Sequence, residues 1–344
     1  MNKYAVIMAG GGGVRFWPIS KSNIPKQFLP ITGQDAMINE TLKRSEGIIP
    51  WDKTFIVTNK RQEAAMAQIL PEKMPRENIL YEPMAKNTAP CVLYSALHIW
   101  KKHGDGVMCV FAADHHIACQ EAFVSVINKA IYAAAESGQV VVIGIKPSFP
   151  STGYGYIKRG GASAYSGVDK LDSFIEKPDS PSATQYIASG SYFWNSGMFV
   201  WKVSTVLELF KRFLPKMYDA FESKPIATAY ERIVGISIDY GIMERIGDAL
   251  VIPGDFGWSD VGSWDTLGAV IPEDESGNVV KGNYIGIDSG RNTVYSNKLV
   301  ATIGINDLVI VESEDTILVC PKARTQDIKT LVDELKFRGM EKFL

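Results

Sequence analysis

Lys3-Tyr4-Ala5-Val6-Ile7-Met8-Ala9 runs directly into Gly10-Gly11-Gly12-Gly13-Val14-Arg15, continues as Phe16-Trp17-Pro18, and closes with Pro25-Lys26-Gln27-Phe28. A short apolar run of this kind reads as a buried strand. A glycine-rich loop at its end lets backbone N–H groups approach and wrap a phosphate chain, because no Cβ stands in the way. Arg15 at the end of the loop and Lys26 eleven residues later supply two cations for the same anion. The segment therefore reads as a nucleotide site, with Gly10, Gly11, Gly12 and Gly13 against the nucleotide. The bland alternative for the loop alone is a flexible glycine turn after an edge strand.

The two common phosphate fingerprints are absent. The dinucleotide pattern needs a glycine at the end of G-x-G-x-x-G, where Arg15 stands here, and Pro18 argues against an immediate long helix. No G-x-x-x-x-G-K-[ST] string occurs anywhere.

Working outward, short apolar runs at Phe55–Thr58, Ile79–Tyr81, Val107–Ala112 and Val140–Ile145 alternate with helical patterns at Met37–Gly47, Gln62–Leu70, Asn87–His103 and Glu121–Ser137. That rhythm predicts an α/β fold, a mostly parallel twisted sheet with helices on both faces and ligands beyond the carboxyl ends of its strands. The glycine loop, Glu82 and Asp114 each follow one of these strands and so converge on one rim. After residue 150, Tyr154–Lys158, Val168–Glu176 and Tyr192–Trp201 read as strands, and helices return at Ser204–Phe213, Tyr230–Val234 and Tyr240–Ile246. From Pro272 the chain shifts to short β segments without a countable hexapeptide repeat, at 279–282, 284–287, 293–295, 299–303, 308–311 and 316–319. These readings divide the chain into 1–271, with a second lobe at about 151–271, and an appendage at 272–344. Ile328, Leu331, Val332 and Leu335 form one apolar helical stripe, to be docked on the chain's own surface or, alternatively, in a homodimer contact.

With 344 residues, 46% apolar, the chain can bury a large core. A net charge of −2 argues against a nucleic-acid surface and leaves local basic clusters to handle phosphates. No run approaches the ~20 apolar residues of a membrane span, and Cys91, Cys109, Cys119 and Cys320 show no C-x-x-C spacing. Buried reduced thiols in a cytoplasmic protein are the expectation. His115 and His116 are adjacent, diverge, and lack a companion ligand set, which argues against zinc.

The glycine-loop string resembles the signature of sugar-nucleotide pyrophosphorylases, especially mannose-1-phosphate guanylyltransferases. The likeness continues through Glu82-Pro83-Met84-Ala85-Lys86-Asn87-Thr88-Ala89-Pro90, Ala112-Ala113-Asp114-His115, Gly153-Tyr154-Gly155-Tyr156-Ile157 and Phe174-Ile175-Glu176-Lys177-Pro178. It extends over Trp194-Asn195-Ser196-Gly197, Ser237-Ile238-Asp239-Tyr240 and Gly257–Trp264, covering the first 265 residues or so. Ala112, Phe16 and Lys21 depart from the usual proline, leucine and arginine. The resemblance implies transfer of GMP from GTP to mannose 1-phosphate, giving GDP-mannose and pyrophosphate, on a nucleotidyltransferase fold with a small left-handed β-helix-like appendage. It implies Mg²⁺ on Asp114 and Asp260, although a strand-end aspartate before a helix is also a common N-cap. The chain ends without the cupin-like isomerase domain of bifunctional relatives, so GDP-mannose synthesis alone is expected.

Such a transfer needs alignment and charge neutralisation more than covalent help, because the sugar phosphate is already an oxyanion nucleophile. Arg15 fits the outer phosphates and Lys26 the α-phosphate. An acceptor-only Glu82 carboxylate suits the paired N1–H and N2–H donors of guanine, helped by Asn87 and Thr88, unless it pairs with Lys86 instead. Glu176, Asn195, Gly155 and Lys177 are expected on the sugar phosphate, with Tyr154, Trp194 and Trp258 lining the hexose or packing in the core. A sister enzyme with another hexose or nucleotide, and a non-catalytic GDP-mannose-binding subunit, remain the alternatives.

Overall fold

The computed structural model describes residues 1–21 and 23–344. Its strands are β1 Lys3–Met8, β2 Thr54–Asn59, β3 Ile79–Glu82, β4 Val107–Ala112, β5 His116–Ile117, β6 Val140–Ile145, β7 Tyr156–Ala162 and β8 Asp169–Ile175. They continue with β9 Tyr192–Lys202, β10 Ala249–Gly254, β11 Trp258–Ser259, β12 Val279–Ile287, β13 Thr293–Ile303, β14 Leu308–Glu312 and β15 Ile317–Pro321. The helices are α1 Met37–Glu46, α2 Glu63–Ile69, α3 Thr88–His103, α4 Gln120–Ser137, α5 Ser180–Ser189, α6 Val203–Phe213, α7 Pro215–Ser223, α8 Ile226–Arg232 and α9 Ile328–Phe337.

One nine-stranded sheet runs β3-β2-β1-β4-β9-β6-β10-β8-β7. It is parallel from β3 to β4 and again between β6 and β10. Strand β9 runs antiparallel between β4 and β6 and also pairs with β7, tying the second lobe into the same sheet. After the exposed Lys3, β1 is apolar because both of its faces are covered. Tyr4 and Val6 pack in the cluster beneath α3 and α6, while Ala5 packs in the opposite cluster with Phe123 and Ile127 of α4. The parallel strands point their carboxyl ends to one rim, where the glycine loop, Glu82 and Asp114 lie.

The second lobe holds elements that local patterning did not give. α5 begins at Asp179, whose side chain accepts the Ser182 N–H, so the Pro178–Pro181 turn is a helix start. The apolar run Ala249–Gly254 is a strand, and α7 precedes α8. The segment read as helix at 240–246 is a short wide turn at Asp239–Met243, and the helix expected at 230–234 lies earlier, at Ile226–Arg232.

In the appendage, β12, β13 and β14 stack in parallel and β15 returns antiparallel. The segments read separately at 279–282 and 284–287 are one strand, β12, and those at 293–295 and 299–303 are one strand, β13; the apparent gap in β12 is a register shift at Gly282/Asn283. Inside the stack, Asn278 Oδ1 accepts the Asn292 N–H and Asn292 Oδ1 accepts the Leu308 N–H, both asparagines being buried. α9 then folds back, burying Ile328 and Val332 in a cluster with Phe16, Trp17, Val261 and Trp264, while Leu331 stays 40% exposed. All four cysteines are free; Cys91 and Cys109 are buried, but Cys119 is exposed before α4 and Cys320 half-buried at the end of the appendage. No helix among the described residues is long and apolar enough to cross a membrane.

Candidate active site

Two adjoining cavities open at the carboxyl rim and share a wall made by His115 and Asp260. The first, of about 380 Å³, is lined by Gly13, Val14, Arg15, Phe16, Lys26, Asp114, Gly262 and Lys329. The second, of about 250 Å³, is lined among others by Tyr154, Gly155, Glu176, Lys177, Asn195 and Asp239.

Lys26 is the hinge of the first cavity. Its ammonium donates to Asp114 Oδ2 at 3.0 Å, to the Asp114 carbonyl at 2.9 Å and to the Asp260 carbonyl at 2.7 Å, and the residue is only 4% exposed. One cation thus ties the end of β4 to the loop after β11. The loop before it is fixed by Gln27, whose Nε2 donates to the Ala9 and Gly11 carbonyls at 2.6 and 3.0 Å. Of the four glycines, Gly13 sits at φ +56° and a Cβ there would lie 2.5 Å from the Lys26 backbone nitrogen. At Gly10 a Cβ would lie 2.9 Å from Glu82 Oε2, whereas Gly11 and Gly12 face open space. Arg15 is exposed and makes no hydrogen bond or ion pair among the described residues.

Asp114 is not a helix cap: a turn and β5 follow it, and α4 starts only at Gln120. Burial works to raise its carboxyl, but the Lys26 ammonium, by charge and hydrogen bond, outweighs that and holds it below the ordinary aspartate range. Asp260 Oδ1 accepts the Tyr154 hydroxyl at 2.7 Å. The next residue, Val261, stands at φ +46°. A β-branched residue rarely adopts that conformation, and its strain of about 1–3 kcal/mol is held by the buried cluster around Phe16 and Trp264. Asp114 Oδ1 and Asp260 Oδ2 keep no partner side chain among the described residues. Two carboxylates with free oxygens on one cavity form a donor set suited to a hard divalent cation completed by water and phosphate oxygens. Among the described residues no group of three or more His, Cys, Asp or Glu could hold a metal alone.

Sequence reasoning weighed His115 only as a zinc ligand. Its Nδ1 accepts the Trp258 indole N–H at 3.2 Å, and burial lowers its proton affinity. A neutral imidazole bonded in this way carries its proton on Nε2, as a donor on the wall between the cavities.

Glu82 is buried, with Oε1 accepting the Tyr230 hydroxyl at 2.7 Å and Oε2 beneath Gly10. It does not pair with Lys86, whose ammonium donates to the Ile233 carbonyl at 3.1 Å. Burial pushes the Glu82 carboxyl up to about 7, against the lowering effect of the Tyr230 bond. Asn87 caps α3, its Oδ1 accepting the Thr88 N–H at 2.8 Å, and lines neither cavity. Thr88 lines the second cavity, not the glycine loop, and its hydroxyl accepts the Ile238 N–H.

In the second cavity a Cβ on Gly155 would lie 2.5 Å from Glu176 Oε2, so glycine there makes room for that carboxylate. Lys177, at φ +45°, pairs with Glu176 Oε1 at 3.1 Å. Asn195 Nδ2 donates to Asp239 Oδ1 at 3.0 Å and Oδ1 accepts the Gly197 N–H. Asp239, named in sequence only within the Ser237–Tyr240 string and given no role there, has its carboxyl pushed up to about 6 by burial and the nearby Glu176. Tyr154 and Trp258 line the cavity, while Trp194 packs behind Tyr154 as a buried core residue.

Residues 4–277 match the nucleotidyl transferase family profile, and residues 282–335 match the MannoseP isomerase/GMP-like beta-helix domain. A mannose-1-phosphate guanylyltransferase of Escherichia coli K12 is 38% identical over 98% of this chain and 74% of that protein. The xanthan biosynthesis protein XanB of Xanthomonas campestris is 37% identical over 97% of this chain and 73% of its own length. A crystal structure from Thermus thermophilus, described as mannose-1-phosphate geranyltransferase, superposes at TM-score 0.90 with 34% identity, covering 98% of this chain and all of that one.

Proposed function

This chain belongs to the nucleotidyl transferase family, among the mannose-1-phosphate guanylyltransferases, and from that premise we propose how its residues divide the work. It is an enzyme that transfers GMP from GTP to mannose 1-phosphate, releasing pyrophosphate. The observation that carries the division of labour is the single wall of His115 and Asp260 between a phosphate-sized basic cavity and a hydroxyl-recognising one. A sugar phosphate in the second cavity meets the α-phosphorus of a nucleotide in the first at that wall.

The sugar phosphate needs no general base, because it is already ionised at neutral pH. Lys26 moves its charge onto the α-phosphate as negative charge builds there, and Arg15 neutralises the outer phosphates. His115 Nε2 donates to an oxygen of the α-phosphate at the wall as the sugar-phosphate oxygen attacks and pyrophosphate leaves. Glu176, Asp239 and Asn195 accept and donate to the hexose hydroxyls, and Lys177 exchanges its Glu176 partner for the incoming sugar phosphate. Mg²⁺, held by Asp114 and Asp260, would screen the phosphate oxygens from one another and draw charge from the departing pyrophosphate.

Pyrophosphate release across four nucleoside triphosphates, with mannose or glucose 1-phosphate, tests the reading. Turnover is expected with GTP and mannose 1-phosphate, lost on chelation and restored by Mg²⁺. Activity that survives chelation would remove the metal from the scheme.

Glu82 gives a pH prediction. Its ionised carboxylate accepts from guanine N1–H and N2–H, whereas the protonated form presents a donor to donors. Because its pKa lies at about 7, the competent form is lost as pH falls through that value. The KM for GTP is expected to rise on acidification from pH 8 to 6, approaching tenfold per pH unit below the pKa. Glu82→Gln flattens this dependence and weakens discrimination against ITP, which lacks the 2-amino group. Unchanged slope and preference in that variant would remove Glu82 from base recognition.

A further inference from the structure

The triphosphate cavity has a wall that the catalytic sheet does not supply. Lys329, in the first turn of α9, lines it together with Arg15, Lys26 and the glycine loop. The helix is held there by several independent ties. Ile328 and Val332 are buried with Phe16 and Trp17, and the Trp17 indole N–H donates to the Phe343 carbonyl at 2.8 Å. Thr325 Oγ1 donates to Asp265 at 2.5 Å and Gln326 Nε2 to Ser263 Oγ at 3.3 Å, pinning the helix start to the loop that follows Asp260.

The acidic residues within a turn of Lys329 are engaged elsewhere. Asp327 pairs with Arg324 at 2.7 Å and Asp333 with Lys336 at 3.4 Å. Lys329 itself makes no ion pair or hydrogen bond among the described residues, and the other cation of this wall, Arg15, is in the same state. Lys26, by contrast, is committed to Asp114 and Asp260. Two uncommitted cations in a cavity whose third cation is already bound to Asp114 and Asp260 describe a site for the part of the nucleotide that leaves.

We infer that Lys329 of the C-terminal helix binds the β- and γ-phosphates of GTP, and hence the pyrophosphate group, as a third cation beside Arg15 and Lys26. This rests on the reading of the cavity as the nucleotide's. It makes the appendage part of the active site: α9 delivers a charge that the nucleotidyltransferase core lacks.

The test compares Lys329→Gln, Lys329→Arg and, on the same helix, Lys336→Gln in both directions of the reaction. A cation on the outer phosphates acts on GTP in synthesis and on pyrophosphate in reversal, while GDP-mannose and mannose 1-phosphate never carry those phosphates. Lys329→Gln is therefore expected to raise the KM for GTP and for pyrophosphate roughly 5- to 20-fold, as for one exposed charge-assisted contact. The KM for mannose 1-phosphate and the dissociation constant for GDP-mannose should stay within twofold, Lys329→Arg should recover most of the loss, and Lys336→Gln should match the unaltered enzyme. If GTP and pyrophosphate parameters stay within twofold in an active, folded Lys329→Gln protein, the inference fails while the assigned reaction stands. A uniform rise for all four ligands with a lowered melting temperature also overturns it, since that marks a helix needed only for docking. An unaltered enzyme inert toward GTP and mannose 1-phosphate would instead break the underlying reading.

Discussion

Replacing Lys26 with alanine is expected to lower kcat/KM by at least 10²-fold, the largest loss of any single side-chain truncation in this chain. Two effects add. The ammonium that would neutralise the α-phosphate is gone, and so is the tether that sets Asp114 and Asp260 relative to each other. The Asp114 carboxylate then has no compensating cation, which costs stability of about 1–3 kcal/mol, discounted because its side chain is 39% exposed. Lys26→Met keeps the buried stem beside Phe16 and removes the ammonium with both of its roles, so it is expected to show the same kinetic loss without the loss of packing. Steady-state kinetics and urea unfolding on both variants check this. A tenfold or smaller kinetic effect in both would take Lys26 out of the chemistry.

Gly13→Ala is expected to do comparable damage by a different route. At φ +56° an alanine pays roughly 1–2 kcal/mol for the left-handed conformation. Its Cβ would also meet the Lys26 backbone nitrogen at 2.5 Å and the Lys26 Cβ at 2.7 Å. Neither neighbour is the far end of a flexible chain, so relief requires moving Lys26 itself. We expect about 3 kcal/mol of lost stability and at least 10² in kcat/KM, because displacements near 1 Å at a reacting group have that effect. Gly12→Ala is the matched control. With nothing within 4 Å, it should unfold within about 0.5 kcal/mol of the parent and raise only the KM for GTP, where the ligand comes to occupy that space. Equal unfolding free energies for the two variants would contradict the assigned loop geometry.

The two glycine variants also show where sequence reading reached its limit within its strongest motif. A run of four glycines says that a backbone must come close to something. It does not say that Gly10 yields to Glu82, Gly13 to Lys26, and Gly11 and Gly12 to open space. Similarly, Glu82 was legible as an acceptor at a strand end. Its partner Tyr230 lies 148 residues away and could not be paired with it by any local pattern. Asn87 and Thr88 stand near Glu82 in sequence, yet the turn into α3 sends Asn87 to a helix cap and Thr88 to the second cavity.

In the appendage, one available signal went unused. Asn278, Asn292 and Asn306 recur at 14-residue spacing, and the first two form the buried ladder between coils. Asn306 also bonds across the stack, its Oδ1 accepting the Gly290 N–H. That period, not a hexapeptide, is the repeat of this parallel stack.

By itself, the sequence determined what is written in nearest neighbours and short periods. Apolar runs with glycine punctuation dictated the strands β1 to β4 and the loop between β1 and α1, and alternation with helices dictated the α/β class. Residue type determined the charges and donors that a phosphate, a base and a sugar would require. Only the tertiary structure decided which of these meet. The antiparallel insertion of β9 brings Asn195 beside Gly155 in the second cavity. The strained Val261 is locked by a core shared between the first and last fifths of the chain. Lys329 reaches a cavity that starts more than 300 residues earlier because α9 buries Ile328 and Val332 against Phe16 and Trp17. Hydrophobic burial is non-directional and takes its partners from anywhere in the chain. The long-range contacts that complete this site therefore follow from what the whole fold can cover, which no local stretch records.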